Sequence, residues 1–280
     1  MNYTIQTANF SQIKQMVDWA KQEGWNPGLN DYQLLQFADT NGFFIGILGN
    51  EPIAAISNVK YSNDFSFLGL YIVKPEFRKQ GYGLQIWNHC LKYSGAANCG
   101  LDGVVSQQEN YKKSGFTLAY QNVRYELAQN NISGHKSEYI VTTNNIISDI
   151  LKYDKAFFPA SRQAFLSRWL QDTNANALVF REGNKVSGYG VIRKCYTGYK
   201  IGPLFADTYE IAVELFSSLC SLAKLGEPVY LDIPEPNSQA KKLVGHFAMN
   251  SVFETARMYN KHSPEISIDR TYGITTFEIG

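Results

Sequence analysis

The chain has 280 residues, 44% of them hydrophobic and 14% aromatic, enough to bury sizeable cores and to build two domains of ordinary size. Its 26 Lys and Arg balance 25 Asp and Glu to a net charge of +1, which argues against the basic stripe of a nucleic-acid or membrane binder. The longest apolar run, Phe43-Phe44-Ile45-Gly46-Ile47-Leu48, is too short to span a bilayer, and no charged, hydrophobic leader opens the chain, so a cytoplasmic protein is expected.

Residues 9–23 place Ile13, Met16, Val17 and Ala20 at helical spacing, with Gly24 positioned to end the helix. The turn-rich stretch Glu23-Gly-Trp-Asn-Pro-Gly28 follows. Asp31 then starts a second helix through Leu34, Leu35 and Ala38, where a carboxylate can cap the helix or attract an ammonium group. Strands are expected over 43–48, 53–61 and 65–73, separated by turn residues. Beyond the third strand lies Lys74-Pro-Glu-Phe-Arg-Lys-Gln-Gly-Tyr-Gly-Leu84, a basic loop with two glycines. It leads into a helix to about Tyr93 that carries Leu84, Trp87 and Leu91 on one side. A strand near 101–105, a short helix ending in Tyr111-Lys-Lys-Ser-Gly115-Phe116 and a strand over 116–127 complete this unit.

The loop matters most. Glycines allow amide groups to turn inward, and a helix N-terminus adds partial positive charge beside Arg78 and Lys79, an arrangement suited to a pyrophosphate. Neither G-x-x-x-x-G-K-[ST] nor G-x-G-x-x-G is present, so the common nucleotide fingerprints do not apply.

Arg78-x-x-Gly81-x-Gly83 after a strand ending Val73-x-Pro75, with Tyr111-x-x-x-Gly115-Phe116 downstream, resembles the acetyl-CoA signature of the GNAT superfamily of N-acetyltransferases. The resemblance implies an α/β fold with a mixed sheet and an acetyl-CoA cosubstrate. It places a pantetheine arm along Tyr71, Ile72 and Val73, one of whose amides can serve as oxyanion donor. Such a donor is worth about 2.7–4 kcal/mol in well-characterised acyl transfer. Arg78, Lys79, Gln80, Gly81, Tyr82, Gly83 and Leu84 would hold the pyrophosphate, with Asn110 nearby. Tyr111 is the expected general acid for the departing thiolate, or else packs beneath Phe116. Asp102 is a candidate base, or a solvated residue beside Gly103. Trp25, Asn26 and Asp31 lie where GNAT enzymes admit the acceptor, here expected to be a primary amine on a small molecule, amino acid or peptide. Direct transfer is expected, since the one Cys beside a His, Cys90 after His89, sits mid-helix where adjacent side chains point apart.

Residues 129–137 are polar and read as a linker between domains spanning 1–128 and 138–280. The second domain repeats the element order: helix 162–170, strands 177–181, 186–194 and 199–205, helix 208–222, strand 229–233, helix 237–246, and strands 252–259 and 272–279. Its segments Phe157–Arg162, Gly198–Pro203 and Ala256–Tyr259 resemble those of YitH-type tandem GNAT proteins. After its third strand stands Ala206-Asp-Thr-Tyr-Glu210, where Asp207 and Glu210 have capping-box spacing and would repel a phosphate, so this copy is expected to be degenerate. A non-catalytic acyl-CoA sensor and a transferase for longer acyl groups are the alternatives. The four cysteines and four histidines are scattered, and no metal is expected.

Overall fold

The computed structural model describes residues 1–133, 137–143 and 146–280. Gly134, His135 and Lys136 of the expected linker lie outside the described residues.

The first half contains β1 (Tyr3–Thr7), α1 (Phe10–Gln22), α2 (Asp31–Leu34), β2 (Phe43–Leu48), β3 (Glu51–Lys60), β4 (Phe65–Val73), α3 (Tyr82–Ser94), β5 (Asn98–Val104), α4 (Gln108–Lys113) and β6 (Thr117–Leu127). The second contains β7 (Ile140–Thr142), α5 (Ile147–Asp154), α6 (Gln163–Trp169), β8 (Ala175–Glu182), β9 (Lys185–Lys194), β10 (Tyr199–Ala206), α7 (Tyr209–Cys220), β11 (Val229–Pro234), α8 (Ser238–His246), β12 (Asn250–Tyr259) and β13 (Thr271–Gly273). Three elements go beyond the sequence reading. β1 is a short edge strand with only intermittent burial, while β7 and α5 follow the linker. Of the expected strand 272–279, only the first residues are strand; the rest is an irregular but buried tail.

The strands form one mixed sheet in the order β1-β2-β3-β4-β5-β12-β6-β11-β10-β9-β8-β7, with β13 on β10. Each half has therefore given away its last long strand. β12, from the second half, pairs antiparallel with β5 of the first, and β6, from the first half, pairs antiparallel with β11 of the second. The two exchanged strands also pair with each other from Thr117 to Glu126 and Asn250 to Tyr259.

Packing follows the exchange. Ala256 and Met258 of β12 are buried against Leu101, Tyr111 and Phe116 in the first half's core beneath α3. Tyr125 and Leu127 of β6 pack on the core of the second half beneath α7 and α8. A third cluster, on the opposite face, joins α1, α2, α5 and α6 and includes Ile279 of the tail. Cys90, Cys99, Cys195 and Cys220 are all buried, and burial pushes each thiol up. Among the described residues, no helix is long and apolar enough to cross a membrane.

Because neither half closes its own sheet, the full chain should unfold in a single calorimetric transition. A fragment of residues 1–128, which exposes one edge of β5 and both edges of β6, should show no cooperative thermal transition by circular dichroism. Two resolved transitions in the full chain, or a cooperative melt of the fragment, would count against the exchange.

Candidate active site

The main cleft, about 680 Å³, opens where β4 parts from β5. The two strands pair in parallel only from Phe65–Asn98 to Leu68–Leu101. Beyond Leu68 a register shift against β3 and the left-handed Leu70 (φ 47°) bend β4 away, as a bulge does. The facing edges of residues 69–73 and 102–104 are left without each other as partners, lining a slot for a ligand that brings its own amide groups.

One end of the slot meets the start of α3. Lys79 (φ 61°) and Gly81 (φ 87°) both take left-handed backbone, curling the loop so that its amides converge. Gly81 occupies the N-cap without a side-chain cap, and no acidic residue stands in the first turn. The first helical amide to donate is that of Gln85, to the Gly81 carbonyl at 3.2 Å, so the amides of Tyr82, Gly83 and Leu84 remain unclaimed by the helix. A side chain at Gly81 would enter open space in front of this loop. At Gly83 a Cβ would lie 2.7 Å from the Tyr71 hydroxyl, so this glycine seats α3 on β4.

The predicted residues divide clearly. Tyr71, Ile72, Val73, Arg78, Lys79 and Gly81 line the cleft. Gly83, the exposed side chain of Leu84, Asn110 and Trp25 do so as well. Gln80 and Tyr82 are not among its lining: Gln80 donates to the Glu76 carbonyl, and the Tyr82 ring packs on Tyr3. Arg78 is less available than the loop's sequence suggests. Its Nε donates to the Val73 carbonyl at 2.7 Å and its Nη2 to Glu23 at 2.5 Å, so it braces the loop while Lys79 stays exposed.

Tyr111 borders the slot with its ring lying on β5. A Cβ on Gly103 would be 2.1 Å from that ring, and Trp87 stacks against it at 5.4 Å between centroids. Its hydroxyl makes no hydrogen bond within the described residues, and burial raises its pKa. Packing and an available phenol therefore coexist at this residue.

Three expectations require correction. Asp102 borders the cleft, but both its oxygens accept from Arg257 at 2.6 Å and one also from Asn122 at 2.7 Å. Burial raises this carboxyl despite the Arg257 charge, which would suit a base, but its oxygens are already committed. Asp31 is buried and lies outside the cleft lining. It accepts from the Gly28 amide at 2.8 Å and from Arg193 of β9 at 3.1 Å, so it is neither a cap nor a free anion. Asn26 exchanges two hydrogen bonds with the backbone of Thr197, at 2.8 and 2.9 Å. Both residues dock the acceptor-side loop onto the β9–β10 hairpin; Trp25 alone of the three faces the cleft.

The second half has the corresponding split, and it is filled. β10 and β11 pair in parallel from Tyr199–Val229 to Ile201–Leu231, after which β13 lies against β10 through Leu204–Gly273 and Phe205–Thr271. The Ile274 amide then donates to the Asp232 carbonyl of β11 at 2.9 Å. The helix that follows is capped, although not by the expected residue. Thr208 accepts from the Ile211 amide at 3.3 Å, whereas Asp207 accepts from Tyr153 at 2.8 Å and Arg270 at 3.0 Å. Only Glu210 of the expected pair stands in the first turn of α7.

Sequence reasoning missed the far wall of the first cleft. Phe253 and Thr255 come from β12, and Phe277 and Glu278 from the tail. Nothing local in these segments signals a site, since they reach it only through the strand exchange.

Comparison with known proteins points to one family across both halves. A family model described as an acetyltransferase (GNAT) family matches residues 10–116, and another, described as an acetyltransferase (GNAT) domain, matches residues 150–273. The chain is 28% identical to holothin acyltransferase of Pseudoalteromonas sp. (strain SANK 73390) over 279 residues, covering 99% of this chain and 95% of that protein. It is 22% identical to the uncharacterized N-acetyltransferase YitH of Bacillus subtilis (strain 168), covering 78% and 77% of the two chains. A crystal structure of a candidate acetyltransferase from Pyrococcus horikoshii superposes with a TM-score of 0.85 at 26% identity, covering 99% of this chain and 96% of that one.

Gly81→Glu places a carboxylate in front of the loop in open space, although a non-glycine residue strains the left-handed backbone at this position. It should weaken coenzyme A binding about 10–100-fold, the equivalent of one charged hydrogen bond, while the far-UV spectrum is retained. Undiminished affinity by calorimetry would move the binding site elsewhere.

Proposed function

Because the chain belongs to the GNAT superfamily, with two GNAT domains in tandem, we propose that it transfers an acetyl group from acetyl-CoA directly to the primary amine of a small molecule at the β4–β5 cleft. Members of this superfamily use acyl-CoA as cosubstrate, and the observation supporting its placement here is the opening of β4 from β5 directly beside the uncapped start of α3. In this reading the residue 69–73 edge meets the amide groups of the pantetheine arm. The loop amides from Lys79 to Leu84 hold the pyrophosphate, with Lys79 contributing charge. Tyr111 donates its proton to the departing sulfur, whose thiol has a pKa near 8.5 in ordinary water.

The cleft also favours a small acceptor with an apolar body. Trp25, Phe253 and Phe277 present rings from three separate segments, and the tail covers the side away from α3. The β10–β11 split takes no second cofactor in this reading, because β13 already occupies it. The curated relative is named as an acyltransferase without an acyl length, so the length accepted here is settled by comparing acetyl-CoA with longer acyl-CoAs in the same assay.

Thiol release from acetyl-CoA with a panel of small primary amines should show acceptor-dependent turnover, and calorimetric titration should find one coenzyme A per chain. Tyr111→Phe should lower kcat about 100-fold with the coenzyme A affinity unchanged. Binding without turnover on any acceptor would make the protein a sensor. Two sites per chain would refute the filled second cleft.

A further inference from the structure

Three carboxylates line the first cleft, and two are engaged in ion pairs. Glu23 pairs with Arg78 at 2.5 Å, and Asp102 is held by both nitrogens of an Arg257 fork. Glu278 forms no ion pair within the described residues; its only hydrogen bond is accepted by Oε2 from the Thr276 hydroxyl. Its other oxygen makes no hydrogen bond, yet is not among the buried polar atoms lacking a partner. The residue as a whole is 4% exposed. It is a sheltered carboxylate with one oxygen free towards the cleft.

Its position is fixed by backbone contact. A Cβ on Gly69 would lie 2.0 Å from the Glu278 carbonyl oxygen, so the tail crosses β4 where only glycine fits. Gly69 is the first β4 residue beyond the pairing with β5. A ligand with its phosphates at the start of α3 and its arm along residues 69–73 points its other end towards Glu278. The tail is anchored before this point, where Arg162 donates to the Thr275 hydroxyl at 2.7 Å, and again beyond it. Tyr61 donates to the Ile279 carbonyl at 2.8 Å and Arg162 to the Gly280 carbonyl at 3.2 Å.

We propose that Glu278, carried into the first half's cleft by the tail of the second, is the proton acceptor for the amine, an assignment that rests on the transferase reading above. The amine nitrogen bonds to the thioester carbonyl carbon and the C–S bond breaks. Glu278 takes the proton lost by nitrogen, and Tyr111 protonates the leaving sulfur. Cleft water returns the Glu278 proton to the Tyr111 phenolate, so no net charge accumulates. The charges that act on Glu278 are Lys200 on β10, Arg193 on β9 and Arg124 on β6, opposed by Asp31 on α2. Burial outweighs these cations and raises the carboxyl above its ordinary value, in the direction a base working near neutrality requires.

The test uses the full chain, acetyl-CoA and benzylamine among other small primary amines, with thiol release followed from pH 5 to 9. The wild-type rate should rise with pH through a limb above the ordinary carboxylate range, because only ionised Glu278 accepts the proton. Glu278→Gln should lower kcat about 100-fold at pH 7 and abolish that limb, with acetyl-CoA affinity unchanged. Glu278→Asp should keep the limb at a reduced rate. Gly69→Ala, which displaces the tail without replacing any titratable group, should likewise lower kcat. An unaltered acid limb in Glu278→Gln, or a loss that is uniform across pH, would overturn the assignment and leave Glu278 as a counter-ion for the nearby cations. If the wild-type chain turns over no amine at all, the transferase reading fails first and takes this assignment with it.

Discussion

Two buried ion pairs set the geometry of the whole molecule. Arg257 on β12 stands directly across from Asp102 on β5, and Arg124 on β6 stands directly across from Asp232 on β11. In both pairs the guanidinium meets the carboxylate through two nitrogens, at 2.6 Å each in the first and 2.6 and 2.8 Å in the second. Both join an exchanged strand to the sheet that receives it. A buried pair of this kind adds little net stability compared with an apolar pair, but leaving either partner alone costs about 3–5 kcal/mol. Register is what such pairs enforce. A one-residue slip of β12 or β6 would strand two charges in the core, so the exchange tolerates only one alignment.

From that alignment comes the unequal use of two similar halves. Each sheet parts at the same place, after a short parallel pairing of its fourth and fifth strands. In the second half the gap is closed by β13, while in the first it stays open and gains β12 and the tail as its far wall. One C-terminal segment therefore fills one cleft and finishes the other. The exchanged strand β6 and the second half together restrain the loop at the cleft mouth. Arg124 donates to the Trp25 carbonyl at 2.8 Å, and Lys200 approaches the same oxygen at 3.5 Å.

The parts that were legible in the sequence are those whose chemistry is local. The basic glycine loop, the helix behind it and the Tyr111 segment occupy short stretches whose spacing carries their geometry, and each stands where the spacing places it. The exchange was not legible, because β6 and β12 have the same alternation whichever neighbour they pair with. Asp31 shows the same limit at a single residue. A carboxylate opening a helix looks like a cap until Arg193, far away in sequence, is seen to claim it. Asp207 and Thr208 are adjacent, and both are sound N-caps by type. Tyr153 and Arg270, neither nearby in sequence, occupy Asp207 and leave the cap to Thr208. Glu278 sits in a stretch with ordinary strand composition, and only the Gly69 contact reveals its destination.

The buried charges also explain why a filled half need not be a dispensable one. Lys200 is 1% exposed, and burial, reinforced by Arg124, lowers its pKa, while the nearby Asp232 carboxylate opposes that shift. Arg193, stacked on Trp169 at 4.5 Å, is satisfied only through Asp31; its two terminal nitrogens have no other partner among the described residues. These cations belong to the second half, while the groups they hold, Asp31 and the Trp25 carbonyl, belong to the first. Removing the second half would therefore leave Asp31 without its counter-charge and the Trp25 loop without its Asn26–Thr197 hydrogen bonds, even if the phosphate-binding turn were untouched. The first half alone would keep the chemistry of its loop and lose the shape of its cleft, because that shape is built from the other half's strand, tail and charges.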